Sequence, residues 1–310
     1  MKKLIIILTI TSSHILSAQD DEMIPSYKYN TEKVTISEGI ELAYVNEGPQ
    51  DAPVILMVHG LGGYIKNWYP TIDGLKETYR CIALDLPGYG QSTIRDFEKE
   101  DYMQFFANSV NEFAEKLELN KVILMGHSMG GQVSIVMALQ NPKWLERLIL
   151  AAPAGFETFT EAEGTLLKQF STASALMSHT EEQIYAAYQA NFVSMPALAE
   201  EMIQDRLKAK EAMWFADYAL IREMGVKGML RHSVKEDLSK IKIPTVVLFG
   251  KNDFLIPNKY LHPSLTTSQI AEIGKEIPNV KIKLIETAGH MLQMDNPTSF
   301  NLAVKQLLTY

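Results

Sequence analysis

Residues 121–131 read KVILMGHSMGG, and a helix-forming stretch, QVSIVMALQ (132–140), follows them directly. The apolar KVILM run predicts a buried β-strand, so the chain passes from strand to helix through a very short turn. A serine on such a turn adopts a strained backbone conformation and needs small neighbours to avoid steric clashes. Gly126 and Gly130 supply them. The stretch therefore predicts a nucleophilic Ser128 above the sheet edge, although a glycine-rich turn that merely contains serine is the alternative.

Two further side chains complete the predicted chemistry, because a serine hydroxyl attacks at neutral pH only with a base and a group that orients this base. Asp253 lies just after the apolar run TVVLFG (245–250), and His290 follows KIKLIE (281–286) on a loop. Carboxyl ends of parallel strands are where ligand sites of open α/β sheets gather. Asp253 alone is compatible with a turn and His290 alone with a helix cap. Their order after Ser128 favours a catalytic triad.

A glycine-rich turn, VHGLGG (58–63), is the fourth candidate element. Acyl transfer places negative charge on a carbonyl oxygen, and two preorganised backbone N–H groups can stabilise that charge. We expect the N–H groups of Leu61 and Met129 to form this oxyanion hole. His59 is interpreted as a residue that fixes the turn rather than as a second base.

The distribution of apolar residues along the rest of the chain predicts the architecture. Near-continuous apolar runs are typical of strands covered on both faces, as in a parallel sheet, and they occur at 54–58, 79–86, 121–126, 147–152, 245–250 and 281–286. Segments with helical spacing lie between most of them, such as 101–117, and another, 297–309, follows the last run. An alternating segment over 31–47 predicts an antiparallel hairpin. The chain therefore predicts an α/β fold with a mostly parallel central sheet flanked by helices.

Residues 155–235 interrupt this alternation because they contain no strand-like run. We predict that they form an inserted helical cap between two parts of the core, 19–154 and 236–310. An independent second domain fits less well, because the sheet resumes in the same style. Substrate choice is expected to lie in the cap, with candidates for an apolar pocket at Phe156, Phe159, Tyr185, Tyr188, Phe192, Met195, Met213, Trp214 and Phe215, although helix-spaced aromatics also form core.

Five motifs together resemble those of α/β-hydrolase-fold enzymes with a helical cap, in their order and spacing: VHGLGG (58–63), DLPGYGQS (85–92), GHSMGG (126–131), GKNDFLIP (250–257) and GHMLQMDNP (289–297). The resemblance implies Ser128 as nucleophile, Asp253 as acid and His290 as base. It also implies that DLPGYGQS is a structural loop beside the site. Haloalkane dehalogenases and epoxide hydrolases of this superfamily use an aspartate nucleophile, so a serine at 128 argues against both.

The expected function is hydrolysis of carboxylic esters through an acyl-enzyme, because the chain is similar to bacterial carboxylesterases and to monoacylglycerol-lipase-like members. The expected substrate is a small apolar or amphiphilic ester. Two alternatives stay open: a C–C bond hydrolase of ring-fission diketones with the same triad, and a ligand-binding member without catalysis. We expect no cofactor and no metal, because the mechanism needs none and the other histidines lack metal-site spacing.

Bulk composition restricts the class of partner. The 310 residues are 46% hydrophobic and 21% charged, with a formal net charge of −8 and no cluster of basic residues. A nucleic-acid-binding protein needs such a cluster, so that class is not expected. The single cysteine, Cys81, excludes an intramolecular disulfide.

The first eighteen residues, MKKLIIILTITSSHILSA, have a basic start, an apolar middle and small residues at the end. This layout is typical of a secretory signal peptide, with cleavage after Ala18. We therefore expect a periplasmic or secreted protein without a stable membrane span in its mature form. An uncleaved anchor is the alternative.

Overall fold

A single eight-stranded sheet organises residues 25–308, the part of the chain that the computed structural model describes. The predicted signal peptide, residues 1–18, lies outside the described residues. The strand order is β1-β2-β4-β3-β5-β6-β7-β8. The strands are β1 (Thr31–Thr35), β2 (Glu41–Glu47), β3 (Val54–Val58), β4 (Arg80–Leu84), β5 (Val122–His127), β6 (Leu145–Ala151), β7 (Thr245–Gly250) and β8 (Val280–Ile285).

Strand direction follows the apolar pattern of the sequence. β1 and β2 form the predicted antiparallel hairpin, and β2 joins β4 in antiparallel register. From β4 to β8 all neighbouring strands are parallel. Every residue of β3, β5 and β7 is buried, as strands covered on both faces require. The predicted α/β fold with a mostly parallel sheet is confirmed.

Helices cover both faces of the sheet. Helix α3 contributes much of the core beside β5 and β6, because ten of its twelve residues are buried. The helices outside the interval between β6 and β7 are α1 (Tyr69–Leu75), α2 (Tyr102–Lys116), α3 (Met129–Gln140), α9 (Thr267–Ile273), α10 (Leu292–Asp295) and α11 (Pro297–Leu308).

The chain between β6 and β7 is helical, without a strand among its described residues. Its helices, called the inserted helices, are α4 (Glu161–Phe170), α5 (Ala173–Ser178), α6 (Glu181–Gln189), α7 (Ala197–Ala209) and α8 (Phe215–Arg231). Helix α6 starts with a capping box of Thr180 and Gln183, in which each side chain binds the other's backbone N–H. Helix α8 packs on α2 and α3, which joins the inserted helices to the core.

Candidate active site

The turn between β5 and α3 has the strain that its sequence predicts. Ser128 has φ 54° and ψ −119°, a backbone conformation that residues other than glycine rarely adopt. A Cβ on Gly126 would lie 2.2 Å from the Gly130 carbonyl oxygen, and a Cβ on Gly130 would lie 2.3 Å from that of Val58. Gly126 is therefore required for the tight turn itself, and Gly130 for the close approach of the turn to β3. The turn presents Ser128 at the amino-terminal end of α3.

Asp253 and His290 form a hydrogen-bonded pair. Nδ1 of His290 donates to Oδ2 of Asp253 at 2.9 Å, and both side chains are buried. The other carboxylate oxygen, Oδ1, accepts the N–H groups of Leu255 at 2.8 Å and Ile256 at 3.0 Å. These bonds fix the carboxylate. With its Nδ1 proton directed to Asp253, a neutral His290 ring has its lone pair on Nε2.

Ser128 and His290 line the same cavity. No hydrogen bond joins Ser128 Oγ to the His290 ring among the described residues. Catalytic hydrogen bonds are often long in ligand-free enzymes and tighten when substrate binds. The loop of His290 is nevertheless held to the serine turn. Nε2 of His127 donates to the main-chain oxygen of His290 at 2.9 Å, and the ring centroids of His127 and His290 are 4.9 Å apart.

The glycine-rich turn after β3 lies against the serine. A Cβ on Gly60 would be 3.0 Å from the Cβ of Ser128, so a larger residue there would force the two turns apart by a few tenths of an ångström. The turn is closed by a bond from the Gly63 N–H to the Gly60 oxygen at 3.0 Å. In the described turns and loops, no main-chain oxygen accepts the N–H of Leu61 or of Met129. Both donors are therefore available to a ligand.

His59 connects two loops rather than facing the cavity. Its Nδ1 donates to the Gly60 oxygen at 2.8 Å, and its Nε2 accepts the Leu86 N–H at 3.0 Å. Burial lowers the pKa of His59 to about 4. The ring is thus neutral at physiological pH with both nitrogens engaged, which leaves it no capacity to act as a second base.

The DLPGYGQS loop is held together by its first residue. The buried carboxylate of Asp85 accepts the Tyr27 hydroxyl at 2.6 Å, the Ile65 N–H at 2.8 Å and the Gln91 N–H at 2.9 Å. Burial raises the pKa of Asp85 to about 7, although these three bonds favour the ionised form. These contacts fix the loop in place, as expected of a structural residue.

A cavity of about 820 Å³ lies beside these groups, between the core turns and the inserted helices. Phe159, Tyr188 and Phe192 line it, as the sequence predicted. The other predicted pocket residues do not line this cavity. Phe156 and Phe215 belong to the buried core, Met213 is 84% exposed, and the remaining three face neighbouring helices or side chains: Tyr185, Met195 and Trp214. Helical spacing identified the helices but not which of their faces turns to the cavity.

Charged residues of the cavity were missed by the sequence analysis. Glu157 lines it, but its carboxylate accepts from His262 at 2.5 Å and from the Asn258 N–H at 2.9 Å. It therefore serves a different histidine from the one that Asp253 holds. Arg206 and Arg222, on α7 and α8, also line the cavity. No motif marks them, because a single arginine on an amphipathic helix is typical of a solvated face.

Residues 25–308 contain neither a metal-binding cluster nor a helix able to span a membrane. No group of three or more His, Cys, Asp or Glu side chains there is arranged to hold a metal ion. Within the same range, none of the helices combines the length and the apolar character needed to cross a bilayer.

Comparison with known proteins assigns the chain to a family. A family model described as alpha/beta hydrolase fold matches residues 53–297. The dihydrolipoyllysine-residue acetyltransferase component of the acetoin cleaving system of Cupriavidus necator is 26% identical over 273 residues, covering 87% of this chain and 67% of that protein. Monoacylglycerol lipase ABHD6 of Homo sapiens is 27% identical over 269 residues, with 84% and 77% coverage.

A solved structure shows the same fold. The crystal structure of a probable hydrolytic enzyme from Pseudomonas aeruginosa PAO1 superimposes with a TM-score of 0.78 at 22% identity, covering 91% of this chain and 95% of that one. The relatives named here differ in the reactions that their names describe, so the similarity alone does not identify a substrate.

Proposed function

Because the chain belongs to the alpha/beta hydrolase fold family, we propose that it is a serine hydrolase that cleaves carboxylic esters with Ser128, His290 and Asp253. The observation that carries the proposal is the buried 2.9 Å bond between His290 and Asp253, next to the cavity that Ser128 lines. A histidine held in one tautomer beside a strained serine is the arrangement that acyl transfer requires.

The proposed reaction begins when Ser128 Oγ attacks the ester carbonyl carbon and His290 Nε2 takes the hydroxyl proton. Asp253 stabilises the resulting imidazolium through Nδ1. The N–H groups of Leu61 and Met129 donate to the oxyanion. His290 then gives its proton to the departing alcohol oxygen, which leaves an acyl-enzyme. Water that loses a proton to His290 attacks this ester, and release of the acid restores Ser128.

The inserted helices act as a cap in this proposal. Tyr188 of α6 lines the cavity together with Phe159 and Phe192, which lie on the connecting segments before α4 and after α6. Such lining suits an apolar or amphiphilic ester. The monoacylglycerol lipase among the relatives supports ester chemistry. The mechanism itself requires neither a metal nor an organic cofactor, and no nucleic acid or stable membrane span is expected of the mature protein.

We also propose that residues 1–18 direct the protein to the periplasm or the outside of the cell, with cleavage after Ala18. The support is the basic start and apolar middle of the segment. Mass spectrometry of the protein isolated from its native host tests this, with a mature amino terminus at Gln19 as the expected result. An intact Met1 on membrane-bound protein would instead indicate an anchor.

A fluorophosphonate probe tests the proposed nucleophile. We expect the probe to label Ser128 covalently, and the S128A variant to remain folded but unlabelled. S109A is the matched control, because Ser109 is a buried serine that bonds within helix α2, away from the cavity. If the folded wild-type protein does not react with the probe, the alternative of a ligand-binding member of the fold without catalysis is favoured.

The ester specificity needs a second experiment, because the same triad also hydrolyses C–C bonds. Turnover of p-nitrophenyl esters of increasing chain length is compared with turnover of a ring-fission diketone. We expect kcat/KM to be higher for at least one ester. If the diketone exceeds every ester, the C–C hydrolase assignment replaces this one.

A further inference from the structure

Arg222 lies beside the turn that carries the proposed oxyanion donor. It extends from α8 and lines the cavity together with Ser128. A Cβ on Gly62 would be 2.9 Å from Nε of Arg222 and 3.3 Å from its Cζ. Gly62 directly follows Leu61 in the chain. The guanidinium group is therefore held against the turn next to the reacting centre.

The guanidinium group of Arg222 has no partner among the described residues. Its Nε is buried without a hydrogen bond, and none of its nitrogens forms an ion pair there. Arg222 is partly buried. Arginine keeps its charge in proteins, and withdrawing part of a charged group from water without a pair costs free energy. A ligand that supplies an anion would remove this cost.

The neighbouring Arg206 differs, because its guanidinium group forms hydrogen bonds with other residues of the protein. Its Nη2 donates to the Gly62 oxygen at 3.2 Å and to the Tyr218 hydroxyl, and the guanidinium lies 4.6 Å from the centre of the Tyr218 ring. Arg206 thus holds the turn from the side of α7. The two arginines share Gly62, but Arg206 is bonded to the protein through Nη2, whereas Nε of Arg222 is buried without a hydrogen-bond partner.

The charges around the cavity favour an anion at this end. Besides the two arginines, His179 lines the cavity, and its pKa is lowered first by burial and then by the charges of Arg222, Lys210 and Arg206. The carboxylate of Glu157 is occupied by His262, and Glu161 lies exposed at the start of α4. Neither carboxylate forms an ion pair with Arg222.

We propose that Arg222 is an anion subsite beside the nucleophile, and that the substrate ester carries a carboxylate or phosphate group that pairs with its guanidinium. This rests on the proposed hydrolase function and names its substrate class. A guanidinium presents two parallel N–H donors that match both kinds of anion. The anion can belong to the acyl part or to the alcohol part of the ester, and the experiment separates these cases.

Two matched pairs of esters test the proposal. Mono-p-nitrophenyl suberate and p-nitrophenyl octanoate differ in an acyl-side carboxylate. 1-Lauroylglycerol-3-phosphate and 1-lauroylglycerol differ in an alcohol-side phosphate. For at least one pair we expect the wild type to prefer the anionic ester in kcat/KM by roughly tenfold or more, the range of a charge-assisted hydrogen bond. The pair that shows the preference identifies the side of the ester that carries the anion.

Variants connect the preference to Arg222. R222M is expected to bring the anionic-to-neutral ratio close to one, whereas R222K, which keeps the charge without the planar fork, retains part of the preference. R231M is the matched control, because Arg231 is exposed on the same helix and does not line the cavity. It should keep the wild-type ratio. A wild type that hydrolyses neutral esters without preferring either anionic partner overturns the proposal, as does a preference that survives in R222M.

Binding provides a readout that does not need hydrolysis. Calorimetric titration of S128A with hexyl phosphate and with hexan-1-ol is expected to show tighter binding of the phosphate, and S128A/R222M should lose the difference. Equal affinity of S128A for both compounds would contradict the anion subsite even if no ester were turned over. Absence of hydrolysis together with a retained phosphate preference would instead refute only the proposed reaction.

Discussion

The imidazole of His127 donates a hydrogen bond at 2.9 Å to the main-chain oxygen of His290, a residue 163 positions later in the chain. His127 directly precedes Ser128 at the end of β5, and His290 lies on the loop after β8. The bond therefore ties the loop of the proposed base to the strand of the proposed nucleophile. Burial holds the pKa of His127 well below its usual range, so its ring stays neutral and serves as a hydrogen-bond donor to this carbonyl.

Loss of this tie should misplace His290. We expect H127A to lower kcat on a p-nitrophenyl ester by roughly ten- to hundredfold with little change in KM, because small displacements of a catalytic group cost about this much. Labelling by the fluorophosphonate probe should slow by a similar factor. H127Q retains a donor near the position of Nε2 and should recover part of the rate. Equal rates for H127A and wild type would show that the bond does not position His290.

Asp253 orients the same histidine from the other side. D253N keeps the shape of the side chain but can place an amide NH₂ group, a hydrogen-bond donor, opposite Nδ1 of His290. This favours the tautomer of His290 that carries its proton on Nε2, which cannot accept the proton of Ser128. We expect kcat to fall by roughly 10³–10⁴-fold while the thermal unfolding temperature changes little, as the loss of the orienting carboxylate does in other triads.

D73N is the control for D253N, because Asp73 is a partly exposed carboxylate paired with Lys28 outside the cavity. It should keep wild-type kcat. If D253N also retained most of its activity, another carboxylate would have to orient His290, and the proposed triad would be wrong in its acid.

Much of the site could be predicted because its parts are local. A strand that turns into a helix through Gly126 and Gly130 allows few conformations, so the strain at Ser128 follows from the sequence. Buried strands are continuous apolar runs, and two of the predicted ranges, 54–58 and 245–250, agree with β3 and β7 at both ends. The positions of Asp253 and His290 then follow from where parallel strands end.

The rest depends on contacts between distant segments. The bond from His127 to His290 and the approach of Arg222 to Gly62 join residues with no common motif. Helical periodicity also left open the rotation of each inserted helix. On α6, for example, Tyr188 lines the cavity as predicted, whereas Tyr185 does not. Such facts depend on packing, which a single sequence does not specify residue by residue.

The glycine requirement of the serine turn predicts a large loss of stability. A Cβ on Gly126 would overlap the Gly130 oxygen at 2.2 Å, and the backbone on both sides is buried. We expect G126A to lower the free energy of unfolding by about 3 kcal/mol or more, measured by urea denaturation.

G164A makes the same substitution where space is open, because no atom lies within 4 Å of a Cβ built on Gly164 in helix α4. Alanine loses less backbone entropy than glycine on folding, so this variant should gain about 0.5–1 kcal/mol. A small effect of G126A would mean that the turn can relax and that its strain is not imposed by packing.

His59 predicts a pH dependence of stability. Its folded pKa of about 4 lies below the ordinary value of 6.5, so the unfolded chain binds the proton first as pH falls. The stabilisation is present above pH 6.5 and is lost as the pH falls toward 4. Between pH 7.5 and 5.5 the wild type should lose about 1 kcal/mol through this group.

The H59Q variant isolates that contribution, since other titrating groups act equally in both proteins. Urea unfolding at the two pH values should show a smaller loss for H59Q than for wild type by about 1 kcal/mol. Identical pH slopes would mean that His59 binds a proton as readily in the folded protein as in the unfolded chain.

Asp205 on α7 links the inserted helices to the core through Tyr64 and Lys66. Its Oδ2 accepts from the Tyr64 hydroxyl and from Lys66 Nζ, both at 2.6 Å, and the Lys66 side chain is only 7% exposed. Removal of one partner from a buried pair leaves the other charge unpaired, so D205A should lower the free energy of unfolding by about 3–5 kcal/mol. Limited proteolysis should then cleave first within the inserted helices.

The matched control is D237A, which breaks an ion pair of Asp237 with Lys240 whose side chains are 41% and 70% exposed. Exposed pairs contribute little, so its free energy of unfolding should stay within about 0.5 kcal/mol of wild type. If D205A were as mild as D237A, water would reach Lys66 on loss of its partner. The inserted helices would then be held by their apolar contacts with α2 and α3 rather than by this ion pair, and proteolysis would not single them out.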